Sequence, residues 1–327
     1  MAYILLTGAT GFVGSFVAQE LIAQKHNVIC LVRSTSDRRW LQGLPLIFCI
    51  GSFTEIESYL GSLKKCEYVI HVAGVTSAIN AAEYHSGNVQ PTESLLRTID
   101  TYRLNIRRFV LVSSQAVTGP SPSASPIDED YPMHPITDYG MSKMESEKIA
   151  QSYMSRIPIT IVRPPAVYGP RDDGVYHFFR LINHRINLMI GNTDQLVNLV
   201  YVEDLARGIV QAAFSPRSAG KCYFLCEETS YRWSEFARLL GQVMNKKYIT
   251  IKIPYFLIYL LSLLLEKSAS YVGTTTILNR QKMKELKQPF WVISPRRAQS
   301  ELDYQTQVPL ILGIEKTVRW YRDFHWL

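Results

Sequence analysis

Short apolar runs punctuate the first half of the chain at fairly regular intervals. Tyr3 to Leu6, Asn27 to Val32, Leu46 to Ile50, Tyr68 to Val72, Phe109 to Val112 and Ile159 to Val162 lack the polar alternation of a half-exposed strand. Runs of this length predict strands covered on both faces. Helix-compatible segments lie between them, including Phe16 to Gln24, Ala81 to Thr98 and Asp138 to Ser155, with Asp138 expected as the N-cap of the last. Strands alternating with helices predict an α/β fold built on a doubly wound parallel sheet with right-handed crossovers.

Beyond Tyr168-Gly169-Pro170 the pattern loosens. Leu199 to Asp204 and Lys221 to Cys226 are expected to return to the sheet, and the chain from about Thr229 onward reads as mostly helical. Residues 1–170 with about 199–226 are therefore expected to form the sheet domain. About 171–198 and 227–327 would form a smaller, mostly helical C-terminal cap. The Pro/Ser-rich stretch Pro120 to Pro126 reads as a loop at a strand's end, where α/β enzymes carry active-site segments. Ile253 to Leu265 is almost wholly apolar, yet shorter than the ~20 residues that a spanning helix requires. A helix buried in the cap or in a subunit contact is the preferred reading; a helix resting on a membrane is the minor one.

Composition narrows the picture. Among 327 residues 47% are hydrophobic, which excludes a disordered chain. The net charge of +7 comes from 35 Lys and Arg against 28 Asp and Glu, and the basic residues occur as scattered pairs, not as a block. No nucleic-acid partner is expected from that distribution, and an anionic small ligand takes its place. Cys30, Cys49, Cys66, Cys222 and Cys226 are widely spaced and odd in number, which predicts buried thiols and a reducing, cytoplasmic setting. The seven histidines show no ligand spacing, so no metal is expected.

The first apolar run ends in Thr7-Gly8-Ala9-Thr10-Gly11-Phe12-Val13-Gly14, directly before a helix. Glycines in this position allow a tight turn, close backbone approach to a pyrophosphate and close helix–strand packing, while the helix N-terminus supplies N–H groups. A carboxylate at the end of the second run would favour NAD. This chain has Arg33-Ser34-Thr35-Ser36 there, with Arg38 beyond, and a guanidinium with hydroxyls suits a 2′-phosphate. NADP is therefore expected, with NAD as runner-up. Tyr139 and Lys143 stand four apart on one helical face, and the ammonium is expected to lower the phenol's pKa. Ser114, at the end of the fifth run, is placed to hold a substrate oxygen beside Tyr139.

Together with His71-Val-Ala-Gly74, Val112-Ser-Ser114, Arg163-Pro-Pro-Ala-Val-Tyr-Gly169 and Val202-Glu-Asp-Leu205, these motifs resemble the extended short-chain dehydrogenase/reductase superfamily, the epimerase/dehydratase branch. The similarity runs on through Ala298-x-x-Glu301-Leu302 and Thr317-Val-Arg-Trp-Tyr321. The resemblance implies a Rossmann core with a seven-stranded sheet, a C-terminal substrate cap and catalytic roles for Ser114, Tyr139 and Lys143. It also implies a cofactor held by Gly8, Thr10, Gly11, Phe12, Val13 and Gly14, by Arg33 and Ser34, by Ser52, Phe53 and Ala73, by Pro164 and Val167, and by Tyr139 and Lys143. A homodimer is common among such proteins and is expected here. Departures are Ser52 for the usual Asp, Pro91 for a Gly, and Asp303 where Gly often follows Glu-Leu.

The leading reading is an NADP(H)-dependent oxidoreductase acting on a secondary alcohol or ketone; Arg33 and the Val112-to-Pro120 segment resemble 3β-hydroxysteroid dehydrogenases and dihydroflavonol reductases more than the sugar enzymes. The alternative is a nucleotide-sugar epimerase with tightly held NAD, whose diphosphate would call on Arg171, Arg180, Arg185 or Arg280. Gln115-Ala116, where sugar dehydratases carry an acidic pair, argues against dehydration. A non-catalytic nucleotide sensor stands last, because both Tyr139 and Lys143 are present.

Overall fold

The computed structural model describes residues 1–191, 194–272, 276 and 279–327, with 266–272 described by backbone alone. In chain order the first part runs β1 (Tyr3–Thr7), α1 (Phe12–Ala23), β2 (Asn27–Val32), β3 (Ile47–Ile50), α2 (Ile56–Leu63), β4 (Tyr68–His71), α3 (Ala81–Tyr84), α4 (Gln90–Thr101), β5 (Arg108–Val112), α5 (Asp138–Tyr153) and β6 (Ile159–Arg163). The second part runs β7 (Ala166–Tyr168), α6 (Tyr176–Asn183), β8 (Ile186–Ile190), β9 (Leu196–Tyr201), α7 (Val202–Phe214), β10 (Lys221–Phe224), β11 (Ser230–Arg232), α8 (Trp233–Met244), β12 (Ile249–Ile253), α9 (Tyr255–Val272), α10 (Arg280–Leu286), β13 (Phe290–Trp291), α11 (Arg296–Leu302) and α12 (Leu310–Asp323).

Seven parallel strands form the main sheet in the order β10-β6-β5-β4-β1-β2-β3. The strands are apolar on both faces because both faces are covered. Phe16, Val17, Leu21, Ile209 and Val210 of α1 and α7 fill one side. Tyr59, Leu63, Leu95, Ile99 and Ala150 of α2, α4 and α5 fill the other. This is the Rossmann-type doubly wound sheet anticipated from the apolar runs.

Three local expectations change. The segment Ala81 to Thr98 is helical throughout but not uniformly α-helical: a π-helical turn, His85–Val89, joins α3 to α4, and Pro91 follows it in the first turn of α4. The N-cap of α5 is Thr137, not Asp138. Thr137 is extended and its hydroxyl accepts from the Gly140 amide at 3.2 Å, leaving Asp138 in the first turn. Leu199 to Tyr201 does not rejoin the main sheet. Pro164-Pro165 ends the β6 ladder, and the chain starts a second sheet in which β9 pairs with β7, β11 and β13. Lys221–Phe224, as β10, does join the main sheet beside β6.

Around that second sheet lies an aromatic core. Tyr168, Phe179, Phe236 and Tyr321 pack edge to face with centroids 5.1 to 6.2 Å apart. The five cysteines are free thiols, four buried and Cys222 partly so, and burial pushes Cys30 and Cys66 up to about 12. Asp303, standing where a glycine is usual, caps α11 at φ +55°, a left-handed position that an aspartate tolerates better than most side chains. Among the described residues no helix is long and apolar enough to cross a membrane. The Ile253-to-Leu265 segment is not buried in the cap as expected: α9 packs through Ile258 and Ser262 and turns most of its leucines outward.

Candidate active site

The strand order reverses between β1 and β4, so a crevice opens beyond their carboxyl ends. Thr7 and His71 close its floor. The Thr7 hydroxyl and His71 Nδ1 share a hydrogen bond of 2.7 Å, and the Ala73 amide donates to the same hydroxyl at 3.3 Å. His71 is buried, and desolvation, with the Lys143 ammonium nearby, lowers its pKa to about 3. It is a neutral packing residue at any working pH.

The loop after β1 is shaped from within and open without. Gly8 has φ +74°, and a Cβ there would meet the Ala73 amide at 2.5 Å. A Cβ on Gly14 would collide with the Gly8 carbonyl. Gly11 differs: it is exposed, and its Cβ would meet only the Gly8 carbonyl, at 3.4 Å. Internal packing thus explains two of the glycines, while the third keeps the outer surface of the loop bare. Gly11 is also the N-cap of α1, and no side chain caps that helix. Bare backbone, helix N–H groups and the positive end of the dipole together fit a dinucleotide pyrophosphate. Thr10, Phe12 and Val13 lie on the same turn, partly buried.

At the end of β2, Arg33, Ser34 and Thr35 are all exposed. The turn is held by Arg33 N donating to Ser36 Oγ and Ser36 N to the Arg33 carbonyl, each at 3.1 Å. The nearest carboxylate, Asp37, is paired with Arg39 at 2.8 Å. Arg38 lies over the Phe48 ring, 4.7 Å from its centroid. Past β3, Ser52 bonds Thr54 at 2.8 Å, and Phe53 meets His71 edge to face at 5.8 Å. Both stand beyond the carboxyl end of β3, and position 52 carries no carboxylate.

On the other side of the crevice, α5 brings Tyr139 and Lys143 under the end of β5. The Ser114 side chain lies beside Tyr139. The Ser114 hydroxyl accepts from the Ala116 amide at 3.1 Å, which fixes it at the start of a short turn. Lys143 is buried and donates to the Val112 carbonyl at 2.8 Å. Burial lowers its pKa to about 8, against the opposing pull of Glu147. The expected lowering of the Tyr139 pKa is reversed: burial raises it to about 12, Glu285 and Tyr84 adding to the rise and Ser114 opposing it. A desolvated phenol loses more than a desolvated ammonium, itself tied to a carbonyl, can restore. Tyr139 is therefore a proton donor in its resting state.

Tyr84, Gln281 and Glu285 are neighbours that had no signal in the sequence. Tyr84 stands 6.1 Å from Tyr139, ring to ring. From the cap, Gln281 accepts from the Asp138 amide at 3.2 Å, and Glu285 reaches Tyr139 electrostatically. Asn88 links the crevice to α5, donating to Ser142 at 2.9 Å while accepting from the Val75 amide at 2.8 Å. Glu147, one turn beyond Lys143, holds Arg163 through contacts of 2.6 to 3.2 Å, both side chains buried. Pro164, buried, accepts from Gln115 N at 2.9 Å, and Val167 pairs with Val200 at the mouth of the second sheet. Of the four cap arginines considered for a diphosphate, Arg171 is engaged elsewhere: it donates to Ser15 at 2.8 Å and stacks on Phe16 and Trp40. Arg180, Arg185 and Arg280 are exposed.

Comparison with known proteins places this geometry. The model of the NAD dependent epimerase/dehydratase family matches residues 4–224. Ceramide reductase of Caulobacter vibrioides is 26% identical over 324 residues, 99% of this chain and 96% of that protein. UDP-glucose 4-epimerase of Vibrio cholerae is 27% identical over 277 residues, 81% of this chain and 83% of that one. Among solved structures, UDP-glucuronic acid 4-epimerase from Bacillus cereus in complex with NAD superposes with a TM-score of 0.79 at 20% identity, covering 99% of both chains. The glycine loop, the parallel sheet and the match over two thirds of the sequence assign this chain to the NAD dependent epimerase/dehydratase family, as an enzyme of its oxidoreductase and epimerase type.

Proposed function

We propose that the protein is an NADP(H)-dependent oxidoreductase that moves hydride to or from a lipophilic secondary alcohol or ketone. The observation that carries the chemistry is the placement of Tyr139 beside Ser114, with Lys143 buried one turn further along the same helix and donating to the Val112 carbonyl at 2.8 Å. The cofactor, when bound, supplies or accepts the hydride at the nicotinamide. Gly8 to Gly14 would hold its pyrophosphate, Ser52, Phe53 and Ala73 its adenosine half, and Pro164 and Val167 its nicotinamide. Ser114 orients the substrate oxygen, and Tyr139 donates the proton to that oxygen in reduction and takes it back in oxidation. The Lys143 charge would steady the tyrosinate that forms, and its ammonium would hold the nicotinamide ribose. The exposed Arg33, Ser34 and Thr35, with Asp37 already paired, favour a 2′-phosphate over a bare ribose.

Ceramide reductase matches this chain almost end to end, which supports a reductase with a lipophilic substrate. The epimerase reading draws on UDP-glucose 4-epimerase, and on the three exposed cap arginines. The engagement of Arg171 with α1 weakens it. Tyr139→Phe tests the catalytic assignment: turnover is predicted to fall about 10²–10⁴-fold, the span for a lost acid–base group, with NADPH affinity unchanged in a fluorescence titration. A Phe variant that turns over at the wild-type rate would remove Tyr139 from the mechanism.

A further inference from the structure

A helix on a water-facing surface is normally polar on its outer side. The outer side of α9 is not. Phe256 is 66% exposed, Leu260 54% and Leu264 62%, at the i, i+4, i+8 spacing that makes one continuous stripe. Leu257 and Leu261 widen it. The strand leading into the helix adds to the apolar surface: Ile249 is 66% exposed, and Ile251 pairs with the equally exposed Leu188 across β12 and β8. Tyr255, Ile258 and Ser262 face inward, Tyr255 through a hydrogen bond from its hydroxyl to the Met283 carbonyl at 3.2 Å. An apolar surface of this kind marks a contact with something other than water.

The charge around it says what. Residues 246–287 hold eight Lys and Arg against two Glu, so this stretch carries +6 of the chain's +7. Lys247 and Lys252 precede the helix, and Lys284 and Lys287 follow on α10; all four are exposed. Lys287 lies 5.9 Å over the Tyr255 ring, which brings the α10 cations to the first turn of α9. An apolar stripe rimmed by cations matches an anionic lipid surface, hydrocarbon to the leucines and phosphate to the lysines. A second copy of the chain fits less well, since a two-fold contact through this face would press one cationic rim against another.

We propose that the outer face of α9, with the exposed ends of β12 and β8, rests in the headgroup layer of an anionic bilayer and holds the enzyme there as a peripheral protein. The α9 stripe is too short to cross the bilayer, so the helix lies along it. The proposal stands independently of the substrate reading. It also has a consequence for that reading: α10, which contacts α9, carries Gln281 and Glu285 to the Tyr139 end of the active site.

Flotation of the full chain with vesicles tests it. Vesicles of phosphatidylcholine with phosphatidylglycerol are predicted to carry the protein up the gradient, phosphatidylcholine alone much less, and high salt is predicted to release it. Phe256→Gln/Leu260→Gln/Leu264→Gln should lower partitioning at least about tenfold by removing the apolar contact. Lys247→Gln/Lys252→Gln/Lys284→Gln should lower it about fivefold for each cation. These are exposed positions, and unchanged thermal unfolding and NADPH affinity would show that both variants fold. The proposal is overturned if the wild type stays with the soluble fraction. It is equally overturned if the glutamine variants float like the wild type, or if the wild type is a dimer that the Phe256/Leu260/Leu264 variant splits.

Discussion

At the scale of single residues, the site separates its groups by protonation state. Tyr139, at about 12, stays protonated through the working range, whereas Lys143, at about 8, loses its charge within it. An inflection in the rate near pH 8 therefore belongs to Lys143. In the reductive direction, turnover is predicted to be flat below that pH and to fall about tenfold per unit above it, as the ammonium that supports the tyrosinate disappears. His71, held near 3, contributes no step around pH 6. A pH–rate profile checks both statements, and Lys143→Arg should abolish the upper limb while Tyr139→Phe removes the rate altogether. Arg33→Glu is predicted to weaken NADPH about 10–100-fold, the worth of a lost charge-assisted contact, and to leave NADH unaffected in the same titration. The pairs and triplets that define these roles were legible because they are local: four residues from Tyr139 to Lys143, three from Gly8 to Gly11. The direction of the Tyr139 shift was not, because burial is a property of the assembled protein and no spacing reports it.

At the scale of elements, a chain of charged groups ties distant segments together. Glu147 of α5 and Arg163 of β6 form a fully buried pair, and Arg163 also donates to the Glu129 carbonyl at 3.4 Å. The Glu129 carboxylate in turn accepts from the Phe224 amide at 2.8 Å and faces Arg297 of α11 at 3.4 Å. The loop after β5, the sheet and a C-terminal helix are thus joined through charges that cannot be solvated. Glu147→Ala leaves Arg163 buried without its partner and is predicted to destabilise the fold by about 3–5 kcal/mol, read from the denaturant midpoint. A loss below about 1 kcal/mol, as for an exposed pair, would contradict that reading. Strands announced themselves through continuous apolar runs. The π-turn at His85–Val89 did not, since His85-Ser-Gly-Asn-Val89 is poor in helix formers, which weakens a helix without specifying the form that it takes. The α9 segment misled for a related reason: an all-round apolar helix reads as buried, and only the packed structure reveals which side has no protein against it.

At the scale of the whole molecule, the two layers divide the labour. The parallel sheet supplies the crevice at which the strand order reverses, with the glycine loop on one lip and Ser114, Tyr139 and Lys143 on the other. The second sheet and its aromatic core carry the cap, and α10 closes it over Tyr139 through Gln281 and Glu285. The contacts made by the cap were illegible in sequence, because Gln281 and Glu285 meet the site through tertiary placement and belong to no motif. Residues 246–287 carry +6 of the net charge, while Arg33 and Arg38 stand apart from them at the end of β2. The central claim, net hydride transfer from NADPH, is most directly tested by following label. The enzyme is given NADPH deuterated at the transferred position of the nicotinamide, with long-chain ketones, and the product is read by mass spectrometry. The account predicts deuterium on the new carbinol carbon, one for each NADP released. It is contradicted if the label never leaves a tightly held cofactor while a nucleotide sugar is epimerised.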